Sequence, residues 1–327
     1  MIIYIENKIK HYKQVKNIIN KFPNASILHI DSHKNILDKT IHPNPTEKKI
    51  ILANLEGSAV LKTPDKYGPN KHSFFIKTSL NCFFSCDYCY LQGLFKNNYP
   101  ILFLNYEDIK QQVSKKIEQI NSSETKWFFS GDYSDTQGFD FISDFNKEFI
   151  PFFEDFKNTM LEIRTKSADI SSLLDLGFIP QNTEIAYSIN TPQVIERYEK
   201  GTASLEKRIE NINYLVDKGF KVGLRFLPLL PTNNAEEEYI NLIKHIKDNI
   251  NIDKLNTINI GGLMFTKKEY NKMLKKQPNL DILYKLEEKD KYFVRIDKNF
   301  RKNLYEIFYY HLGKHIKNKN FVCMDYF

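Results

Sequence analysis

The stretch Ser79-Leu80-Asn81-Cys82-Phe83-Phe84-Ser85-Cys86-Asp87-Tyr88-Cys89-Tyr90-Leu91-Gln92 decides how the rest of the chain is read. It holds three of the four cysteines in the protein, at the spacing C-x3-C-x2-C. Three thiolates can hold three irons of a [4Fe–4S] cube; with no fourth cysteine nearby, the fourth iron is left open to a small molecule. A structural zinc site normally takes four ligands, and neither Cys323 nor any of the eight histidines stands at short spacing from the three. Cys323 reads as a buried or stray thiol.

Working outward, strands and helices alternate on both sides of this loop. Strands are expected over His72–Thr78, Lys126–Ser130, Met160–Thr165, Thr183–Ile189, Lys221–Leu230 and Leu255–Leu263. Between them the 3.6-residue pattern predicts helices over Tyr106–Ile120, near Phe141–Phe149, over Asp169–Asp175, over Ser204–Lys218 closed by Gly219, and over Ala235–Ile250. Repeated βα units imply a parallel sheet with right-handed crossovers. Six units close only part of an eight-stranded barrel, whose chemistry gathers at the C-terminal strand ends. The fold class is therefore α/β, a partial (β/α)6 barrel.

Residues 1–70 read as a small N-terminal α/β segment. Its strands are Ile2–Ile5, Ser26–Ile30 and Lys49–Ala53, with a helix over Tyr12–Phe22 and a proline-barred loop at His42–Thr46. The turn-rich run Pro64–Asn70 marks the expected boundary to a core at 71–265. Residues 266–327 read as a charged, helical extension with a long helix near Phe300–Lys317.

Composition limits the function classes. The 327 residues are 42% apolar, enough for a substantial core, and no apolar run is long enough to cross a membrane. The N-terminus lacks the pattern of a signal peptide. Four cysteines in this length are no disulfide framework, so a reducing, cytoplasmic location is expected. The net charge of +7 suits a polyanionic partner such as DNA, or reflects biased Lys and Asn usage; the lysines are spread rather than blocked.

Four further motifs end expected strands: Ser130-Gly131-Asp132-Tyr133-Ser134-Asp135; Arg164-Thr165-Lys166; Ser188-Ile189-Asn190-Thr191-Pro192 running to Glu196-Arg197; and Leu227-Pro228. With the cysteine loop they resemble the radical S-adenosylmethionine (SAM) superfamily, and the run Cys86–Gln92 is similar to its spore photoproduct lyase branch. The resemblance spans residues 72–265. It implies a [4Fe–4S] cluster on Cys82, Cys86 and Cys89, whose open iron chelates SAM and whose electron generates a 5′-deoxyadenosyl radical. That radical would abstract hydrogen from a thymine-dimer lesion in DNA.

The same resemblance assigns roles. Tyr88 would pack near the adenine and Tyr90 relay a hydrogen atom. Ser130, Gly131 and Asp132 would receive the SAM ammonium, with Ser134 and Asp135 also contacting SAM. Lys166 would pair with its carboxylate, and Ser188 and Asn190 would face its ribose or carboxylate. Two positions depart from the branch: Asp132 stands where its members carry a hydrogen-donating cysteine, and Leu227 where they carry an aspartate. These departures leave open a second reading, the same enzyme type acting on another nucleic-acid or other substrate. A third is a non-catalytic iron–sulfur or zinc module for nucleic acid. A flavodoxin or ferredoxin reductase is the implied electron donor.

Overall fold

The computed structural model describes residues 1–37, 48–94, 96–315 and 322–325. The expected loop at His42–Thr46 lies outside the described residues. Six parallel strands stand side by side in chain order: Ser73–Ile76, Lys126–Phe129, Thr159–Thr165, Thr183–Ser188, Lys221–Leu229 and Thr257–Gly262. Lys126–Phe129 and Thr183–Ser188 are buried at every position, as strands of a parallel sheet covered on both faces must be. Val60–Lys62 pairs antiparallel against the first of the six and ends the sheet on that side. The sheet is the expected partial barrel.

Each crossover helix buries one stripe. Tyr106–Glu118 turns Ile109, Val113 and Ile117 inward, and Leu205–Asp217 turns Ile209, Ile212 and Leu215. The Ser204 hydroxyl caps the latter helix by accepting from Lys207 N at 3.2 Å, and Gly219 follows it with φ +93°. One expected helix, near Phe141–Phe149, is two. Thr136–Ser143 and Phe145–Glu154 meet at Asp144, which adopts φ 53°. The Asp140 carboxylate accepts from Asn146 N at 2.7 Å, so a side chain serves the amide that a continuous helix would have bonded internally.

The N-terminal sheet runs in the order Ser26–Ile30, Ile2–Glu6, Lys49–Ala53, Ile101–Phe103, Ser79–Leu80. Its last two strands come from beyond the turn at Pro64–Asn70, while Val60–Lys62, from before that turn, joins the barrel. The start of the cysteine stretch is therefore an edge strand of the N-terminal sheet, and Ile3, Ile51, Leu80 and Ile163 belong to one continuous core.

The C-terminal part has helices Lys267–Lys276, opened by a Thr266/Glu269 capping box, and Lys298–Leu312, capped by Asp297. A small antiparallel sheet of Met264–Thr266, Phe293–Arg295 and Glu288–Lys289 accompanies them. Its strands of two or three residues are too short for a periodicity to mark. The first helix reaches back over the cysteine stretch: Lys276 Nζ donates to Gln92 O and Asn98 Oδ1, each at 2.7 Å, and Gln277 Nε2 to Asp87 O at 3.0 Å. Among the described residues no helix is long and apolar enough to cross a membrane.

Candidate active site

The cysteine loop is held from three sides. Ser85–Cys86 pairs antiparallel with Glu199–Lys200, and Asp87 N donates to Tyr198 O at 2.8 Å. Asn81 turns the chain with φ 62°, its amide donating to Tyr99 O at 2.9 Å. Cys82, Cys86 and Cys89 consequently face one cavity of about 370 Å³, a volume within the roughly 300–1,000 Å³ of small-molecule sites. Burial pushes all three thiols up, Cys86 to about 12, so that in this apolar wall a metal cation in place of the protons is what would make them thiolates. Among the described residues, no three His, Cys, Asp or Glu side chains converge as ligands of one metal ion. A cube places each thiolate on its own iron and asks for no such convergence, so this donor set fits a cluster better than a single zinc.

Strand ends build the rest of the wall. Lys166 follows the third barrel strand, and its ammonium lies 5.7 Å from the centre of the Tyr88 ring. Behind both sits Glu199, which accepts from the Tyr88 hydroxyl and forms a 2.6 Å ion pair with the fully buried Arg208. Burial works against the charge of Glu199, but Lys166 and Arg208 outweigh it and hold the carboxyl below its ordinary value. Burial likewise opposes the charge on Lys166; Glu199 and the Cys86 sulfur outweigh it and raise the ammonium's pKa. Lys166 is thus a half-buried cation kept charged at the mouth of the thiol loop.

The loop after the second strand is fixed by Asp135. Its carboxylate accepts from Gly138 N, Thr165 Oγ1 and Lys166 N, each at 2.8 Å, capping the following helix and tying the loop to the third strand end. Ser134 bonds the Ser79 hydroxyl. Gly131 passes so close to the third strand that a Cβ there would lie 2.7 Å from Arg164 O and 2.8 Å from Arg164 Cβ. The close approach that glycine permits is therefore made to Arg164 as well as to the cavity. Asp132 accepts from the Tyr67 hydroxyl with its carboxylate and from the Tyr90 hydroxyl with its main-chain oxygen. Burial pushes the Asp132 carboxyl up to about 6, against the pull of Arg164.

Of the residues singled out in the sequence, Cys82, Cys86, Cys89, Tyr88, Tyr90, Gly131, Asp132, Ser134, Asp135, Lys166 and Ser188 all line this cavity. Ser130 and Asn190 do not. Ser130 Oγ is spent on Thr136 Oγ1 and Glu162 O, at 3.0 and 3.2 Å. Asn190 donates to Pro228 O at 2.9 Å and accepts from Tyr239 Oη at 3.0 Å, fixing the end of the fifth strand. Arg197 pairs with Asp281 at 3.0 Å rather than with its neighbour Glu196. Tyr67 and Glu199 carry no site role in the sequence reading, because each reaches the site only through tertiary pairing. The fourth cysteine, Cys323, also lines the cavity.

An incomplete parallel barrel, with three thiols after its first strand and a charged lysine after its third, both on one cavity, defines a radical SAM protein. A sequence profile described as spore photoproduct lyase matches residues 1–310. The chain belongs to the spore photoproduct lyase family. It is 34% identical over 201 residues to the spore photoproduct lyase of Clostridium acetobutylicum, covering 61% of this chain and 58% of the relative. It is 28% identical over 253 residues to that of Bacillus subtilis, covering 75% and 72%. The match with the clostridial relative therefore spans little more than half of that protein's length. A solved spore photoproduct lyase double mutant with bound AdoMet and dinucleoside spore photoproduct shares the fold at TM-score 0.79 and 20% identity, over 97% of this chain and 96% of that one.

Proposed function

We propose that this chain is a radical SAM lyase that repairs a thymine-dimer lesion in DNA, the spore photoproduct. The observation that carries the reading is the sharing of one cavity by Cys82, Cys86, Cys89, Lys166 and Tyr90. Cys82, Cys86 and Cys89 would hold a [4Fe–4S] cluster, and Lys166, Ser188 and the Gly131–Asp135 loop would hold SAM. When bound, the pair supplies a 5′-deoxyadenosyl radical able to take a hydrogen atom from a carbon.

The protein's part is binding, orientation and exclusion of water. Lys166 receives a carboxylate, and its charge is maintained by Glu199. Tyr88 offers its face to a heteroaromatic ring while its hydroxyl is anchored on Glu199. Tyr90 and Tyr67 bring two phenols to Asp132, and Phe75, Leu263 and Phe265 keep the rest of the wall apolar. A flipped base, rather than a duplex, is what a cavity of this size can accept. The match in family to proteins named for this activity, and the solved relative's dinucleoside ligand, support the substrate class.

A one-electron reductase is the partner this chemistry requires. A second cavity, of about 730 Å³, meets Cys82 and Cys89 from the other side of the loop and includes Lys48, Lys49, Lys96 and Lys276. An acidic flavodoxin or ferredoxin suits that approach. A reducing cytoplasm suits the four unpaired cysteines. Asp132 in place of a donor thiol favours, as the second reading, a different substrate for the same radical chemistry. A purely structural metal module has no use for a charged lysine held beside the thiols.

Anaerobic reconstitution tests the reading. About four irons and four sulfides per chain are expected, with 5′-deoxyadenosine released on adding SAM and dithionite, and neither in Cys86→Ala. One zinc per chain and no deoxyadenosine would sink it.

A further inference from the structure

Cys323 lies 234 positions beyond Cys89 in the chain, by the difference of their numbers, yet faces the same cavity. The segment carrying it is fastened to the open edge of the barrel. Val322 bridges Ile260 in parallel, Cys323 N donates to Ile260 O at 2.8 Å, and Met324 N donates to Lys66 O at 3.0 Å. Gly261 makes room for it: a Cβ there would lie 3.4 Å from Cys323 Cβ and 3.3 Å from its carbonyl oxygen. The thiol contacts the main-chain oxygen of Tyr67 at 3.8 Å, the residue whose hydroxyl donates to Asp132. Tyr90, on the cluster side, donates to the main chain of the same Asp132. A thiol and two phenols are thus gathered around one aspartate, facing the space where a substrate would sit.

Resting on the function proposed above, we propose that Cys323 is the hydrogen-atom donor that quenches the product carbon radical. A cavity in which a carbon loses a hydrogen atom must also return one, and the S–H bond is among the weakest bonds to hydrogen that side chains offer, close to the phenol O–H of tyrosine and well below a C–H bond. Asp132 cannot make that transfer, since a carboxyl O–H is far stronger. In the step itself the S–H bond of Cys323 breaks, a C–H bond forms on the product, and the sulfur is left with the unpaired electron. The thiyl sulfur would regain a hydrogen from the Tyr90 phenol. The phenoxyl would take one from the methyl group of 5′-deoxyadenosine, which holds the hydrogen first removed from the substrate, leaving the deoxyadenosyl radical to re-form SAM. One hydrogen atom leaves the substrate and one comes back, so no added oxidant or reductant is consumed. Burial pushes the thiol up to about 12, which keeps it in the S–H form that such a transfer needs.

The test has two independent readouts. In the cluster-loaded enzyme, alkylation of Cys323 by iodoacetamide, read by peptide mass spectrometry, is expected to slow at least tenfold on adding dinucleoside spore photoproduct. This readout needs no turnover, so it judges the position of the thiol even if the lyase reading fails. In turnover in D2O, the wild-type product is expected to carry deuterium from the exchangeable thiol. Cys323→Ser is expected to lose most of that label and divert product to side reactions while still forming 5′-deoxyadenosine. Alkylation indifferent to the dinucleoside, or wild-type label and product in Cys323→Ser, would overturn the assignment. Absence of 5′-deoxyadenosine in the wild type would instead count against the proposed function.

Discussion

Lys166 is where the chemistry of single residues is most exposed to test. It is a half-buried cation whose charge is supported by Glu199, and its expected ligand is a carboxylate. Lys166→Ala is expected to weaken SAM binding to the reconstituted enzyme at least about tenfold, or about 1.4 kcal/mol, measured by calorimetry. Asp132 offers a second test, through pH. Its carboxyl stands at about 6 in the folded chain against an ordinary value of 3.8, so folding favours its protonated form. That contribution is fully present below the ordinary value and is lost as pH rises through about 6. The stability of the cluster-free wild type relative to Asp132→Asn is therefore expected to fall between about pH 4 and about pH 7. Urea unfolding of both proteins at the two ends of that range measures it; a difference independent of pH would contradict the burial of this carboxyl. Lys166, Tyr90 and the three cysteines all line the one cavity; the cysteines were legible in the sequence from their spacing alone, and Lys166 and Tyr90 through the family resemblance. Tyr67 and Glu199 were not, since nothing near them in the chain tells which distant residue they meet.

Elements explain how those residues come to face one another. The two-residue pairing of Ser85–Cys86 with Glu199–Lys200 binds the thiol loop to the chain leaving Pro192–Tyr198, and Glu199 is also the carboxylate of the buried Arg208 pair. Glu199→Ala leaves Arg208 buried without its counter-charge and is expected to cost about 3–5 kcal/mol in chemical unfolding. It should also impair cluster retention, read from iron content, because the loop loses its anchor. Gly131→Ala tests the other wall. With no room beside Arg164 O, the added methyl is expected to cost about 1–3 kcal/mol. The alternation of strands and helices was plain from periodicity, and so was the closure of one helix at Gly219. The break at Asp144 was not, because it depends on Asp140 bonding the amide of Asn146 across the turn. The small C-terminal sheet was not either, its strands being shorter than any period that would reveal them.

At the scale of the molecule, the site is a product of three parts closing on one loop. The N-terminal sheet takes Ser79–Leu80 as its edge, the barrel supplies the strand ends, and the C-terminal helix Lys267–Lys276 ties down Asp87 and Gln92. A boundary drawn at Pro64–Asn70 describes the turn but not the sheets, which exchange strands across it. Substrate is the claim that reaches furthest beyond the fold, and one measurement addresses it most directly. Enzyme reconstituted anaerobically is given SAM, a reductant and dinucleoside spore photoproduct, and the thymine dinucleoside is quantified by chromatography. Conversion that requires SAM and is abolished in Cys86→Ala is the predicted result. Release of 5′-deoxyadenosine with the dinucleoside left unchanged would contradict the assignment as a spore photoproduct lyase.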